Sequence, residues 1–388
     1  MNVTERFLKY VTFATASDED STTFPSTSGQ LVLADYLTEE LRMIGVADAQ
    51  RDLNGYVYGH IPATPGFENE PVIGLIAHMD TSPDAPGENV KPKIVKYDGK
   101  NLPMIDDRYI GEDMIVSDGT TLLGADDKAG VAEIVSACER LINGEVKHGA
   151  VSICFTPDEE IGSGADRFDH KRFAADFAYT VDGGELGGIE YENFNAAAVR
   201  LNVYGLNTHP GSAKGKMRNA ALYLNEFISM LPDAETPAHT EGREGFYHVS
   251  YVNGIESKAE LHMIIRDHDR EKFEGRKLFV SRLAAYLNDK YGDGTFSLQI
   301  TDSYYNMREI IEKHMEIVER AKEAMLANGV EPVITAIRGG TDGARLSFEG
   351  LPCPDISTGG MNYHSIYEAI PVSALGKMTD IIVKIVEA

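Results

Sequence analysis

The sequence predicts an α/β protein with a mixed sheet flanked by helices and an inserted α+β domain. Two patterns carry this prediction. In the first half of the chain, near-continuous apolar runs typical of strands buried on both faces alternate with helical segments. From about residue 196, the strand segments instead alternate apolar and polar residues, as half-exposed antiparallel strands do. The length of 388 residues also exceeds the size at which one core usually keeps growing.

The elements of the first domain follow from periodicity and from end signals. Ser28 is a candidate N-cap for the second helix, and Gly45 stands just past its end. A stretch rich in Pro, Gly and Asp, residues 82–120, is expected to form a surface loop or hairpin region. Helices are predicted at 3–15, 28–45 and 126–142, and buried strands at 72–78, 150–155 and 177–182.

The insert is predicted to span residues 196–309, with two helices covering one antiparallel sheet. Its helices are expected at 221–231 and 271–290. The first domain would then comprise residues 1–195 and 310–388, and a helix at 309–328 would lead the chain back into it.

Composition excludes several classes of partner. The chain has 36 basic and 61 acidic residues, a formal charge of −25, so nucleic acid and anionic membranes are not expected partners. No signal peptide and no apolar run of the roughly 18 residues that a membrane span needs is visible. Three scattered cysteines, Cys138, Cys154 and Cys353, suggest reduced thiols and a cytoplasmic location.

Polar side chains follow several of the predicted strands at their carboxyl ends, where open α/β sheets bind ligands. His78 ends one strand, Glu160 follows the next, and Asp182 ends a third. Asp126 stands at the start of a helix, and His364 lies in a Gly-rich loop after another strand. Two imidazoles and three carboxylates suit a pair of Zn²⁺-like ions with one carboxylate bridging them.

The stretch TPDEEIG places Asp158, Glu159 and Glu160 side by side, although adjacent carboxylates repel one another. A metal beside Glu160 would remove much of this repulsion and leave Glu159 as a base for the attacking water. Asp80 would accept the second ring N–H of His78 and fix its tautomer. Each signal alone also suits a plain surface turn or helix cap, so the metal interpretation rests on their joint placement.

Motifs along nearly the whole chain carry a family resemblance. They are LIAHMDTSPD, TLLGADDKAGVAEI, FTPDEEIGSGA, YTVDGGELG, HPGSAKG, IIRDHDR, DSYYNMRE, IRGGTDGARLSF and GLPCPDISTGGMNYH. These motifs resemble those of the peptidase T family, aminotripeptidases of the di-zinc exopeptidase superfamily. The resemblance implies that His78, Asp126 and Asp182 bind one zinc, and that Asp126, Glu160 and His364 bind the other, with Co or Mn as possible replacements. The resemblance also implies a zinc-bridging hydroxide with Glu159 as general base.

The same resemblance makes the insert a lid or dimerisation domain, through which two chains could pair as a homodimer. His209 would stabilise the oxyanion as a catalytic residue, beside Asp80 and Glu159. Arg266 and Arg338 would bind the C-terminal carboxylate of a small peptide, and Asn306 would hydrogen-bond its backbone. The expected activity is removal of the N-terminal residue from tripeptides.

Two alternatives remain open at this stage. One is a di-zinc dipeptidase or N-acyl-amino-acid amidohydrolase, and the other is a metal-bound scaffold protein without activity. The sequence also departs from the family pattern. The stretch between Lys96 and Asp118 is short, and Ser365, Ile366 and Tyr367 stand after His364 where the family has a Gly-Lys-His-like sequence.

Overall fold

A computed structural model describes residues 1–388. The chain divides into two compact units. The first comprises Met1–Tyr191, Met307–Thr335 and Thr341–Ala388, and the second comprises Glu192–Asn306 and Ala336–Gly340. The short segment Ala336–Gly340, which contains Arg338, thus packs with the second unit although the sequence analysis assigned it to the first.

The helices begin and end close to their predicted bounds, with two corrections. The first helix ends at Tyr10 instead of residue 15, and Thr27, not Ser28, is the N-cap of the second. Asn2 caps the first helix through a reciprocal pair of hydrogen bonds with Glu5, and Gly45 ends the second in the left-handed conformation at φ 113°. In chain order they are α1 (Val3–Tyr10), α2 (Ser28–Ile44), α3 (Ala125–Ile142), α4 (His170–Phe173), α5 (Ala220–Ser229), α6 (Arg270–Tyr291), α7 (Arg308–Ile311), α8 (Met315–Ala327), α9 (Asp342–Phe348) and α10 (Val372–Val386).

The strands form three sheets. In chain order they are β1 (Gln50–Arg51), β2 (Val57–Ile61), β3 (Ile73–His78), β4 (Lys93–Lys96), β5 (Asp113–Val116), β6 (Val151–Thr156), β7 (Phe177–Val181), β8 (Gly188–Asn193), β9 (Asn195–Tyr204), β10 (Phe246–Gly254), β11 (Lys258–Asp267), β12 (Phe296–Tyr304), β13 (Val333–Ile337), β14 (Asp355–Ile356) and β15 (Ala369–Pro371).

The largest sheet has the strand order β1-β2-β6-β3-β7-β14-β8-β13. Its centre is parallel, because β3 pairs in parallel with both β6 and β7, and β14 with β7. The pairs β2–β6 and β14–β8 are antiparallel, so the sheet is mixed, as predicted. Both β3 and β6 are buried along their entire length, which explains their near-continuous apolar sequences.

The stretch 82–120 contains more regular structure than a surface loop. Strands β4 and β5 pair as antiparallel neighbours, and β15 adds to β5 to give the order β15-β5-β4. The sequence analysis predicted a loop or hairpin here, and the third strand was missed because β15 lies far away in the chain and has only three residues.

The second unit contains one four-stranded sheet in the order β10-β11-β9-β12, and every neighbouring pair is antiparallel. Helices α5 and α6 pack on this sheet. Strand β11 alternates between buried and half-buried or exposed residues, which is the pattern of a sheet covered on one face. The core between helices and sheet includes Leu224, Phe227, Phe273 and Leu287.

Candidate metal centre

The candidate site is built at the carboxyl end of β3. His78 is the last residue of that strand and is 2% exposed. Its backbone N–H donates to Asp127 Oδ2 at 3.0 Å, and its ring Nδ1 lies 3.3 Å from Asp80 Oδ1. The ring thus lies beside Asp80, with Nε2 directed toward Asp126 and Asp182.

Asp80 also organises the neighbouring acidic turn. Its two carboxylate oxygens accept hydrogen bonds from the backbone N–H groups of Glu159 at 3.0 Å and Glu160 at 3.1 Å. Asp80 is fully buried, so these bonds are shielded from water. One carboxylate thus holds the turn that follows β6 and lies beside the ring at the end of β3.

The three adjacent carboxylates of that turn have separate surroundings. Asp158 has φ 56° and turns toward the start of α2. There its carboxylate accepts from the N–H of Ser26 at 2.6 Å and from Gln30 Nε2 at 2.6 Å. Glu160 instead approaches His364, whose Nε2 lies 3.1 Å from Glu160 Oε2. The side-by-side order in sequence therefore does not become a cluster of three charges in space.

Asp126 reaches the site from the start of α3. Asp126 and Asp127 have non-helical dihedral angles, and the peptide bond between them is cis. The helix lies against the end of β7 at Gly130, where an added Cβ would come within 2.0 Å of the carbonyl oxygen of Val181. Only glycine permits this approach, which brings the first turn of α3 close to Asp182 just after β7.

The predicted metal ligands form two groups that share Asp126. In the first, His78 Nε2 lies 2.8 Å from Asp126 Oδ1 and 3.6 Å from Asp182 Oδ1. In the second, His364 Nε2 lies 3.4 Å from Asp126 Oδ2 and 3.1 Å from Glu160 Oε2. Within each group the potential ligand atoms lie within 4.8 Å of one another.

The electrostatics of these groups call for positive charge. Burial alone would lower the pKa of His78, but Asp182 and Asp126 outweigh it and raise the pKa well above its usual value. Hydrogen bonds to Asp126 and Glu160 raise the pKa of His364 to about 11. Burial would raise the pKa of Asp126, yet the two histidines lower it. The carboxylates thus attract protons onto both imidazoles when those are the only cations at hand.

These residues fit two divalent ions. Imidazole nitrogen and carboxylate oxygen are the donors that zinc takes in catalytic sites. Glu160 Oε1 is a buried oxygen without a hydrogen-bond partner, as a ligand atom directed at a cation would be. Asp126 offers one oxygen to each group, which suits a bridging carboxylate.

Glu159 is not a member of either ligand group. Burial raises its pKa well above the usual value, His78 opposes the shift, and the nearby carboxylates of Asp342 and Asp182 add to it. A carboxylate whose pKa is raised binds a proton more readily than an ordinary one. This is the property that a general base needs.

Sequence reasoning missed two buried carboxylates that border the site. Asp342, at the start of α9, accepts a hydrogen bond from Thr156 Oγ1 at 2.9 Å, and burial raises its pKa to about 7. Glu368 accepts from three backbone N–H groups, including that of Asp126. The only feature of the sequence that could have indicated Glu368 is its position shortly after His364. No feature of the sequence indicated that Asp342 would lie near the site.

Two of the predicted catalytic and substrate-binding residues lie on the surface of the second unit. His209 is exposed, and its Nδ1 accepts from the N–H of Gly211 at 3.1 Å. Arg266 stacks on the Tyr304 ring at 5.3 Å, and its Nη1 donates to the carbonyl oxygen of Ile265 at 3.1 Å.

The other two predicted substrate-binding residues make internal contacts in the same unit. Arg338 donates to the carbonyl oxygens of Gly242, Glu244 and Thr240 and to Thr240 Oγ1, at 2.7–3.3 Å. Asn306 is 3% exposed, and its amide donates to the carbonyl oxygen of His268 at 3.0 Å. Both therefore have a structural function in the unit, and their contact with substrate stays a prediction.

None of the helices is long and apolar enough to cross a membrane.

Comparison with known proteins identifies relatives over the whole chain. Peptidase T of Caldanaerobacter subterraneus subsp. tengcongensis is 53% identical over 401 aligned positions, covering 99% of this chain and 98% of that protein. Peptidase T of Clostridium novyi is 53% identical over 403 positions, with the same coverage of 99% and 98%. A family model described as the peptidase dimerisation domain matches residues 191–295.

Solved structures share the fold. An aminopeptidase PepT from Bacillus cereus superposes with a TM-score of 0.79 at 24% identity, covering 99% of this chain and 97% of that one. A tripeptidase from Staphylococcus aureus gives 0.80 at 22% identity, covering 100% and 97%. A dinuclear metal-binding peptidase of the M20 family from Bacillus subtilis gives 0.68 at 16% identity, covering 99% and 96%. The predicted fold class and family resemblance are confirmed, and the chain belongs to the peptidase T family.

Proposed function

We propose that the protein is a metal-dependent aminopeptidase that removes the N-terminal residue from tripeptides. The observation that carries this proposal is the pair of ligand groups sharing Asp126, with Glu159 adjacent in sequence to one ligand and outside both groups. Metal storage would need the ligands alone, whereas peptide hydrolysis also needs a base beside them. Relatives named peptidase T and a neighbouring structure described as a tripeptidase support the substrate class.

His78, Asp126 and Asp182 would hold one ion, and Asp126, Glu160 and His364 the other. Zinc suits this set of nitrogen and oxygen donors best, and Co or Mn are alternatives. When bound, such ions supply positive charge that polarises a peptide carbonyl and lowers the pKa of a water. Asp80 fixes the His78 ring through Nδ1, so that Nε2 presents its lone pair to the cation.

The side chains would divide the proton transfers and charge stabilisation among themselves. Glu159 takes the proton of the attacking water at its carboxylate and later gives it to the leaving amine. Its raised pKa makes the carboxylate a stronger base than an exposed glutamate. His209 donates a hydrogen bond to the oxyanion that forms from the scissile carbonyl.

Length selection would come from the C-terminal carboxylate of the substrate. Arg266 is the better candidate for this role, because only its Nη1 is engaged and that atom contacts backbone carbonyls. Arg338 would support the same task by holding the loop at 240–244 through its four hydrogen bonds, and Asn306 by bracing the interior of the unit.

We further propose a homodimer formed through the domain at 191–295, because that segment matches a dimerisation-domain model. A cytoplasmic location is supported by the three cysteines, which are all free thiols.

The test of the activity is amino-acid release from di-, tri- and tetra-alanine and from N-acetyl-trialanine, measured by mass spectrometry with zinc and with chelator. Metal-dependent release from free trialanine alone is expected. The Glu159→Gln variant should bind metal as the wild type does but lose about 10²–10⁴-fold in kcat. Unchanged turnover in this variant would contradict the mechanism.

A second candidate function is a di-zinc dipeptidase or N-acyl-amino-acid amidohydrolase. It shares the ligand groups, so only the pocket distinguishes it. Preferred cleavage of dialanine or of N-acetyl-trialanine in the same assay would favour it over the aminotripeptidase.

A further inference from the structure

Glu368 connects the loop that carries His364 with the segment that carries Asp126. The carboxylate is 2% exposed. Its Oε2 accepts from the backbone N–H groups of Leu123 and Gly124, both at 2.7 Å, and its Oε1 accepts from the N–H of Asp126 at 3.0 Å. One side chain thus satisfies three donors in a stretch of four residues.

These three backbone N–H groups lie at the start of α3, where a helix offers no carbonyl oxygen to accept their hydrogen bonds. Gly124 adopts the left-handed conformation at φ 85°, and Asp126 and Asp127 also lie outside the helical region. Successive N–H groups around a left-handed residue form a concave site for an anion. Glu368 occupies this site and thereby fixes the backbone from which the Asp126 side chain projects.

The other end of the connection is anchored in the three-stranded sheet. Glu368 precedes Ala369, the first residue of β15, which pairs with Val116 on β5. Ala369 and Met361 also exchange backbone hydrogen bonds, at 2.8 and 3.1 Å, and so close the loop around His364. His364 itself is 40% exposed and has φ 58°. Its Nδ1 lies 3.2 Å from Asp84 Oδ2, so both this contact and the closed loop place the ring.

We propose that Glu368 is a positioning residue that sets the separation of Asp126 and His364 and thereby the affinity of their shared group for a divalent ion. This inference rests on the proposed function, since it assumes that the two ligand groups bind metal. Asp126 belongs to both groups, whereas Glu368 contacts only its backbone. The effect of Glu368 is therefore exerted through the ligands, because it does not contact the ion.

The sharpest perturbation is Glu368→Gln, which preserves shape and removes one acceptor. The remaining oxygen is best used by the two N–H groups of Leu123 and Gly124. The amide NH₂ then faces the N–H of Asp126, and that hydrogen bond is lost. The substitution thus releases the ligand segment while leaving the rest of the connection in place.

The measurement is a titration of the metal-free protein with Zn²⁺ against a chromophoric chelator, together with the melting temperature of the metal-free form. We expect Glu368→Gln to keep two bound ions but to weaken binding by about 10–100-fold, as loss of a residue that orients ligands typically does. kcat for trialanine should fall while KM stays within about twofold, and excess zinc should restore part of the loss.

Tyr367→Ala is the matched control, since it changes the exposed neighbour on the same loop without touching the ligand segment. It should bind zinc as the wild type does. If Glu368→Gln fails to fold, Glu368→Asp retains the charge on a shorter side chain, and an intermediate loss of zinc affinity is expected.

The outcomes separate the two proposals. A wild type that binds no divalent ion would overturn the proposed function and this inference with it. A wild type that binds two ions, beside a Glu368→Gln variant with the same zinc affinity, would overturn the inference alone. A lower melting temperature of the variant without a change in affinity would also overturn it, because Glu368 would then only support the fold.

Discussion

Replacing Asp158 by alanine tests whether the contacts of Asp158 with Ser26 and Gln30 hold the acidic turn, residues 158–160, in place. In the structure its carboxylate accepts from the N–H of Ser26 at 2.6 Å, from Ser26 Oγ at 2.5 Å and from Gln30 Nε2 at 2.6 Å. The alanine variant leaves the buried N–H of Ser26 without an acceptor and removes two further bonds. An orphaned buried donor costs about 1–3 kcal/mol and a hydrogen bond to a charged group contributes about 1.5 kcal/mol or more, partly recovered by water, so we expect about 3 kcal/mol of destabilisation.

Function should change as well, because Glu159 and Glu160 follow Asp158 directly. A catalytic group displaced by about 1 Å can lose about 10²-fold in rate. We therefore expect kcat/KM for trialanine to fall by about one to two orders of magnitude in Asp158→Ala. Stability is measured by urea unfolding, followed by tyrosine fluorescence, since the chain has 18 tyrosines and no tryptophan.

Two variants calibrate the result. Ser26→Ala removes the hydroxyl bond to Asp158 and the bonds that Ser26 Oγ accepts from the Asp18 N–H at 3.0 Å and from Gln30 Nε2 at 3.3 Å, and it should cost about 1–2 kcal/mol. Asp158→Asn preserves the shape and one acceptor oxygen, so its effect should lie between the other two. Ordinary surface substitutions change the free energy of unfolding by less than about 0.5 kcal/mol. A destabilisation that small in Asp158→Ala would refute the argument that this carboxylate holds the turn.

Three further predictions concern buried charge. Both oxygens of Glu133 are buried without partners, and burial raises its pKa well above the usual value. The folded state therefore binds this proton more tightly than the unfolded state does. The resulting stabilisation is complete below the pKa of the unfolded state. It falls by up to about 1.4 kcal/mol per pH unit as the pH rises toward the pKa of the folded state. In Glu133→Gln the free energy of unfolding should not fall with pH for this reason. Its melting temperature relative to wild type should therefore increase from pH 5 to pH 8, as a pH series of thermal scans would measure. Arg6 and Glu40, each 2% exposed, form an ion pair at 2.8 Å. Arg6→Met should cost about 3–5 kcal/mol, and the double variant Arg6→Met/Glu40→Leu should recover most of it in a double-mutant cycle of urea unfolding. Chelator should lower the melting temperature, since ligand at about 100 times its Kd stabilises by about 2.7 kcal/mol, and Asp126→Asn should make calorimetric scans much less sensitive to chelator.

The central sheet and the ligand groups were predictable because both follow local rules. Fully buried strands have apolar sequences throughout, so β3, β6 and β7 were recognisable without a partner. Neighbouring parallel strands end at the same edge of the sheet, so His78 and Asp182 could be predicted to lie close together. The observed strand ends differ from the predicted ones by a single residue in most cases, a shift that moves no ligand away from the edge.

What the sequence did not reveal depends on long-range pairing. The first helix, predicted to reach residue 15, ends at Tyr10, and the chain then turns to pair Ala16 with Thr81. Arg338 was predicted to bind the substrate's carboxylate, and that role stays a prediction. Nothing in the sequence indicated that its guanidinium also donates to the backbone carbonyls of the loop at 240–244. Glu368 acts on a segment 242 residues away at Asp126, a separation at which no periodicity or spacing gives a signal.

The acidic turn shows how such long-range contacts resolve a local conflict. Three adjacent carboxylates repel one another if all of them are charged and face the same side. Asp158 avoids this by leaving the turn at φ 56° for Ser26, while Asp80 binds the N–H groups of Glu159 and Glu160 from the opposite side. Glu160 lies next to His364, and Glu159 is left with a raised pKa and no cation of its own. Burial of Glu159, with a smaller contribution from the nearby carboxylates of Asp342 and Asp182, therefore causes the raised pKa that a general base for hydrolysis requires.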